Sequence, residues 1–116
     1  PVHIIAGFPA GAASDITARL IGQWLAQQLG RPFVTENRPG AGGDVGTEMV
    51  VRASPDGYTL LLVTPSNAIN ASLYKDLQFN FIRDIAPVAD IVRSPFVMVV
   101  NPSFPAKAVP EFIAYA

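Results

Sequence analysis

The order of elements along the chain predicts an α/β fold: an open, mostly parallel sheet flanked by helices. Three observations carry this. Short apolar runs alternate with a helix-period segment. The early runs lack strict in–out alternation, as strands buried on both faces do. Each early run ends in small or turn-forming residues. A strand-helix-strand-helix-strand order, connected by right-handed crossovers, places its strands parallel.

The first strand is expected at residues 2–6, the apolar run Val2-His3-Ile4-Ile5-Ala6. Gly7 through Asp15 then form a small-residue turn, in which Ser14 or Asp15 is suited to cap the next helix. That helix, expected over 15–29, carries Ile16, Leu20, Ile21, Trp24, Leu25 and Leu29 on an apolar face. Trp24 is expected in the core. Gly30 supplies a left-handed stop, with Pro32 beyond it. Residues 33–36 read as the second strand and 37–43 as a loop punctuated by Pro39, Gly40, Gly42 and Gly43.

Residues 44–53 read as a second helix. Ser54-Pro55-Asp56-Gly57 is a turn, because proline presets φ and glycine accepts a positive one. Residues 58–63 are the third strand, closed by the loop Thr64-Pro65-Ser66-Asn67, with a short helix over 68–74. Residues 75–84 are irregular; 86–92 and 96–100 are expected as two further strands. The chain opens directly into a strand and closes on what reads as the opening turns of a helix, Val109 to Ala116. Such ends predict a piece of a longer protein, with any signal peptide absent from this chain.

The composition narrows the functional classes. Half of the 116 residues are hydrophobic and 15% are charged, so the chain is expected to fold. A formal net charge of -1 offers no electrostatic case for nucleic acid or an anionic membrane surface. No apolar run approaches the roughly twenty residues a bilayer span needs, so direct membrane insertion is not expected. There is no cysteine and a single histidine, His3, inside the first apolar run. That supply argues against thiol chemistry and a transition-metal site, and no cofactor is expected.

Ligands of open parallel sheets bind at the carboxyl ends of the strands. Two loops fall at such ends. In the first, Gly7–Asp15, small residues let backbone N–H groups approach a ligand, and a helix N-terminus points to the same place. The second, Thr64–Asn67, offers two hydroxyls and an amide. Together they could form an anion cradle, although a glycine-rich strand-to-helix turn is usually only a tight turn, and Ser or Asp at a helix start usually only a cap. The Pro39–Gly43 loop lacks a P-loop lysine and the spacing of a dinucleotide fingerprint, so it reads as a connector with positive-φ positions. Ser14 and Ser66 have no histidine base nearby in the sequence, and no catalytic set is evident. Lys75, Asp76, Arg83 and Asp84 read as solvated surface.

Phe8-Pro9-Ala10-Gly11 with Ser14-Asp15, then Glu36-Asn37-Arg38-Pro39-Gly40-Ala41-Gly42-Gly43, then Pro55-Asp56-Gly57-Tyr58-Thr59-Leu60 resemble the tripartite tricarboxylate transporter receptors, also called the Bug family. Asn70 through Tyr74, Asp84 with Pro87-Val88, and Val100-Asn101-Pro102 continue the likeness across the whole chain. The resemblance implies a periplasmic, exported receptor with a two-lobed Venus-flytrap fold of the type II periplasmic binding protein kind. It is a binder, not an enzyme. It takes a small carboxylate in its cleft and delivers it to the permease subunits of a membrane transporter. Only the first lobe is expected here, over 1–104, with 105–116 starting the crossover to a second.

By the same resemblance the ligand-binding residues are Phe8, Gly11, Ala12, Ala13 and Asp15 in the first loop and Thr64, Ser66 and Asn67 in the second. Family members commonly carry a second glycine where this chain has Ala12-Ala13, and the added methyl narrows the room. An incomplete lobe leaves apolar surface uncovered, so self-association is expected. Two other readings remain open at this stage. One is an α/β enzyme domain with a phosphate-binding loop; the other is an interaction module without a small-molecule site.

Overall fold

The computed structural model describes residues 1–116. Its centre is a three-stranded parallel sheet in the order β2-β1-β3, formed by β1 (Val2–Ala6), β2 (Phe33–Asn37) and β3 (Thr59–Leu62). Ala6 stands opposite Asn37 on one side and Leu62 on the other, so all three strands end at one edge. The expected parallel strands at 2–6, 33–36 and 58–63 are therefore present to within a residue or so. His3 lies in the central strand and is half-buried beside Glu36 of β2.

Helices cover both faces. On one, α1 (Ala13–Leu29) approaches closely because its inward face is small. A Cβ on Gly22 would lie 3.2 Å from Ile4 Cδ1. Ala18 is fully buried there with Ile4, Ala6 and Leu62, and Ile21, Phe33 and Leu60 pack around them. On the other face, α2 (Asp44–Val51) sets Gly46 against Gly7 and Ile5. Ile4 and Ile5, successive residues of β1, thus serve opposite faces, as the strand period requires. After β3 the chain forms α3 (Pro65–Leu73), a single turn α4 (Phe81–Asp84) and α5 (Val109–Tyr115). Phe104 packs on Phe112 and Tyr115 of α5, with centroids 5.7 and 4.9 Å apart.

Four expectations need correction. First, residues 86–92 and 96–100 form no strands. They pair with no other strand, and Val88, Phe96, Val97 and Val99 are exposed. A β-prone pattern makes a strand only with a hydrogen-bonding partner, and this segment docks on neither edge of the sheet. The radius of gyration is accordingly 17.7 Å, against about 13 Å for a compact domain near this length.

Second, Trp24 is not core: it is 54% exposed, and Ile16, Leu20 and Leu29 share its outward position. The apolar stripe of α1 is wider than a three-stranded sheet can cover, and the close contact is made by Ala18 and Gly22 instead. Third, α1 starts two residues earlier than expected. Its N-cap is Ala12, with no side-chain cap, so neither Ser14 nor Asp15 is the capping residue. Fourth, Ser66 and Asn67 are not loop residues. Thr64 is the N-cap of α3 and Pro65 opens the helix, where its fixed φ and missing N–H cost nothing.

Candidate functional site

Because the strands are parallel, the loops after β1, β2 and β3 leave the sheet side by side. Gly43 is where they meet. A Cβ there would lie 3.4 Å from Phe8 Cε2, 3.6 Å from Asn67 Nδ2 and 3.8 Å from the Gly7 carbonyl oxygen. One residue of the loop after β2 is thus touched by the loop after β1 and by the first turn of α3. A Cβ would meet these neighbours at ordinary contact distance, so it is the φ of +101°, which L side chains rarely adopt, that favours glycine there.

The first loop is organised by Asp15, which is buried. Its Oδ2 accepts the Gly11 N–H at 2.9 Å. Its Oδ1 accepts from Arg19 Nε at 2.9 Å and from Asn37 Nδ2 at 3.0 Å. The bond to Gly11 reaches back past the N-cap Ala12 to the residue before it, so Asp15 ties the loop rather than the helix cap. The hydrogen bond from Arg19, then those from the Gly11 amide and Asn37, hold the Asp15 carboxyl well below the usual carboxylate range, at about 2. Asn37 also donates to the Phe8 carbonyl at 3.0 Å.

The second group is just as tightly arranged. Asn67 Oδ1 accepts from the Thr64 N–H at 2.8 Å and the Thr64 hydroxyl at 3.1 Å. Asn67 Nδ2 donates to Thr47 Oγ1 at 2.8 Å, and that hydroxyl donates to the Gly43 carbonyl at 3.0 Å. One turn on, Asn70 Nδ2 donates to the Gly42 carbonyl at 3.2 Å. Asn67 and Asn70 are both buried, and they clamp the glycine loop from α3.

Of the residues expected from sequence, the structure brings Phe8, Gly11, Ala12, Ala13, Asp15, Thr64, Ser66 and Asn67 to one edge of the sheet. It does not leave all of them free. The carboxylate of Asp15, the amide oxygen of Asn67 and the hydroxyl of Thr64 are already bonded within the protein. The N–H groups of Ala13, Ser14 and Asp15 remain without an acceptor, whereas that of Ala12 bonds the Pro9 carbonyl at 3.2 Å. The Ser66 N–H, at the start of α3, is likewise without one. Ala12, Ala13 and Gly11 put almost no side-chain bulk over these donors.

Two N-termini of helices 17 and 9 residues long therefore present unpaired N–H groups at one sheet edge. Chemically the arrangement favours an anion. No group of three or more acidic, histidine or cysteine side chains is placed to hold a metal ion. Two surface cavities of about 500 and 410 Å³ lie along residues 71–83 and beside α2, and none of the eight residues lines either.

Asn37, Arg19, Thr47 and Asn70 were missed from sequence. A faint signal existed for two of them. Asp15 and Arg19 stand four apart, the spacing of a helical ion pair. Asn37 is an amide at the carboxyl end of an apolar strand. For Thr47 and Asn70 nothing local marks the role, because their partners come from other elements.

A sequence profile described as "Tripartite tricarboxylate transporter family receptor" matches residues 17–116. Protein BugT of Bordetella pertussis is 36% identical over 98% of this chain, which spans 36% of that protein's length. MatC from Rhodopseudomonas palustris, solved with bound malate, aligns over 98% of this chain and 39% of its own, at 34% identity and a TM-score of 0.77. Another R. palustris protein, solved with adipate, aligns over 99% of this chain and 39% of its own, at 31% identity and a TM-score of 0.75.

Proposed function

We propose, from the premise that the chain belongs to the tripartite tricarboxylate transporter receptor family, that it forms a solute-binding lobe for a small carboxylate. The fold is that of one lobe of a periplasmic binding protein, a parallel sheet with flanking helices matching 39% of solved relatives. The family is one of receptors, not of enzymes. The observation that carries the ligand class is the pair of helix N-termini with unpaired N–H groups beside Ala12 and Ala13. A carboxylate oxygen there would accept from the Ala13, Ser14 and Asp15 amides and from Ser66, with the Phe8 ring as an apolar flank.

Asp15 enters this reading through its backbone N–H and not its carboxylate, and Asn67 and Thr64 enter as supports. Malate and adipate in two structural relatives support a dicarboxylate. The two differ in length and in a hydroxyl, so the shared carboxylate is what this lobe would read. The lobe comprises residues 1–104, and 105–116 begin the crossover. Delivery to a membrane permease and a periplasmic location complete the reading; no helix of the chain is long and apolar enough to cross a membrane.

The test is an amide-shift titration of the ¹⁵N-labelled chain with malate, adipate and, as a control, ATP. Malate or adipate should move the Ala13, Ser14, Asp15 and Ser66 resonances, and ATP should not. Shifts confined to other residues, or a response to ATP at the glycine loop Gly40–Gly43, would refute the assignment.

A further inference from the structure

We propose that Asn37 is a positioning residue for the anion-facing loop. It locks the loop after β1 to the end of β2 and keeps the Asp15 carboxylate turned away from the N–H groups that face a ligand. The inference rests on the carboxylate reading above for its consequence, and on geometry alone for its mechanism.

The loop cannot hold its own shape. Gly11 is exposed, has a φ of +85° and has open space where a Cβ would be. The only backbone bond within the loop is Ala12 N–H to the Pro9 carbonyl, at 3.2 Å. Asp15 adds a conflict. A carboxylate in the first turn of α1 is attracted by the same positive helix end that would attract a bound anion. Left free, it would repel a ligand carboxylate and compete for its donors.

Asn37 answers both problems with one side chain. Both of its amide hydrogens are used, one on the Phe8 carbonyl and one on Asp15 Oδ1, each at 3.0 Å. Its own oxygen accepts from the Arg19 guanidinium at 3.1 Å. The same guanidinium holds Asp15 Oδ1 at 2.9 Å, while Gly11 takes Oδ2. Loop, helix and strand are thereby closed into one circuit in which the Asp15 charge is spent. The orientation of the amide is dictated: a flipped amide would set its oxygen against two acceptors. An aspartate at position 37 would do the same and add a charge.

The experiment uses the whole chain as wild type, Asn37→Ala, Asn37→Asp and Arg19→Gln, with Asn70→Ala, at a more deeply buried asparagine, as a control. Three quantities are read by NMR: amide hydrogen exchange at Gly11 and Ala12, the ¹³C carboxyl titration of Asp15, and amide shifts on adding malate. Asn37→Ala should speed Gly11 exchange by about tenfold or more, the loss of roughly one net hydrogen bond to a charged group. It should raise the Asp15 midpoint and weaken the malate-induced shifts at Ala13 and Ser66. Asn37→Asp should do all three more strongly. Should either variant fail to fold, Arg19→Gln, at an exposed position, should still raise the Asp15 midpoint.

Asn70→Ala should leave Gly11 and Asp15 unchanged, even with a lowered melting temperature. Unchanged Gly11 exchange and Asp15 titration in Asn37→Ala would overturn the proposal. Malate shifts of undiminished affinity in that variant would overturn it as well. If wild type gives no malate shifts while Asn37→Ala still releases Gly11 and Asp15, the carboxylate reading falls and the positioning role stands.

Discussion

Adding one methyl at Gly7 should do more damage than its size suggests. A Cβ there would lie 2.9 Å from Gly43 Cα and 3.0 Å from the Gly43 carbonyl oxygen. Ordinary contacts begin near 3.4 Å, so the two backbones must part by several tenths of an ångström. Neither gives easily. Gly7 follows directly on the central strand. Gly43 is tied by its N–H to the Gly40 carbonyl at 2.9 Å and by its carbonyl to the fully buried Thr47 at 3.0 Å.

Overpacking of this kind costs about 1–3 kcal/mol. Loosening the Thr47 bond adds about 1 kcal/mol. Gly7→Ala should therefore destabilise by about 2–4 kcal/mol, and at roughly 4 °C per kcal/mol the melting temperature should fall by about 8–16 °C. The comparison is Gly57→Ala, which has φ +81° but open space around the Cβ and should lose only the left-handed penalty of about 1–2 kcal/mol. Urea and thermal unfolding followed by circular dichroism give both numbers. A Gly7→Ala variant within about 0.5 kcal/mol of wild type would refute the reasoning that this loop contact is rigid on both sides, since an unconstrained surface change falls in that range.

Acid should expose the Asp15 network. Its folded pKa of about 2 lies below the ordinary 3.8. The stabilisation is therefore complete above pH 3.8 and lost as the pH falls through about 2. Urea midpoints measured from pH 6 downward should fall in that window for wild type, and Asp15→Asn should start lower and lack that component; parallel curves would contradict it. Replacing Ala12 with leucine puts bulk over the unpaired amides, so calorimetry should show weakened malate binding with the fold intact, and unchanged affinity would count against that contact. The exposed run containing Val88, Phe96, Val97 and Val99 offers unpaired apolar backbone to a second copy. Light scattering should show mass rising with concentration, and a monomer throughout would refute this.

Much of the fold was legible because its signals are local. The turn at Pro55–Gly57, the Gly30 stop, the small-residue loop after β1 and the apolar runs each act through their own backbone preferences. Their alternation then leaves parallel pairing as the economical arrangement. The run of motifs from Phe8 to Leu60 likewise marked the family and pointed to both loops.

What the sequence could not decide were matters of partnership. Residues 86–100 are as β-prone as β3, yet a strand exists only where another backbone accepts its hydrogen bonds, and here none does. Trp24 fits a helical stripe, but the width of the sheet determines which part of that stripe is covered. Asp15 and Asn67 have the right chemistry for a ligand. Only the folded chain shows that Asn37, Arg19 and Thr47, from other elements or another turn, already hold their polar atoms, while the first backbone N–H groups of α1 have no acceptor within the protein. A side chain's type is written at its own position; whether its hydrogen bonds remain available depends on residues tens of positions away, and only the tertiary structure brings those within 3 Å.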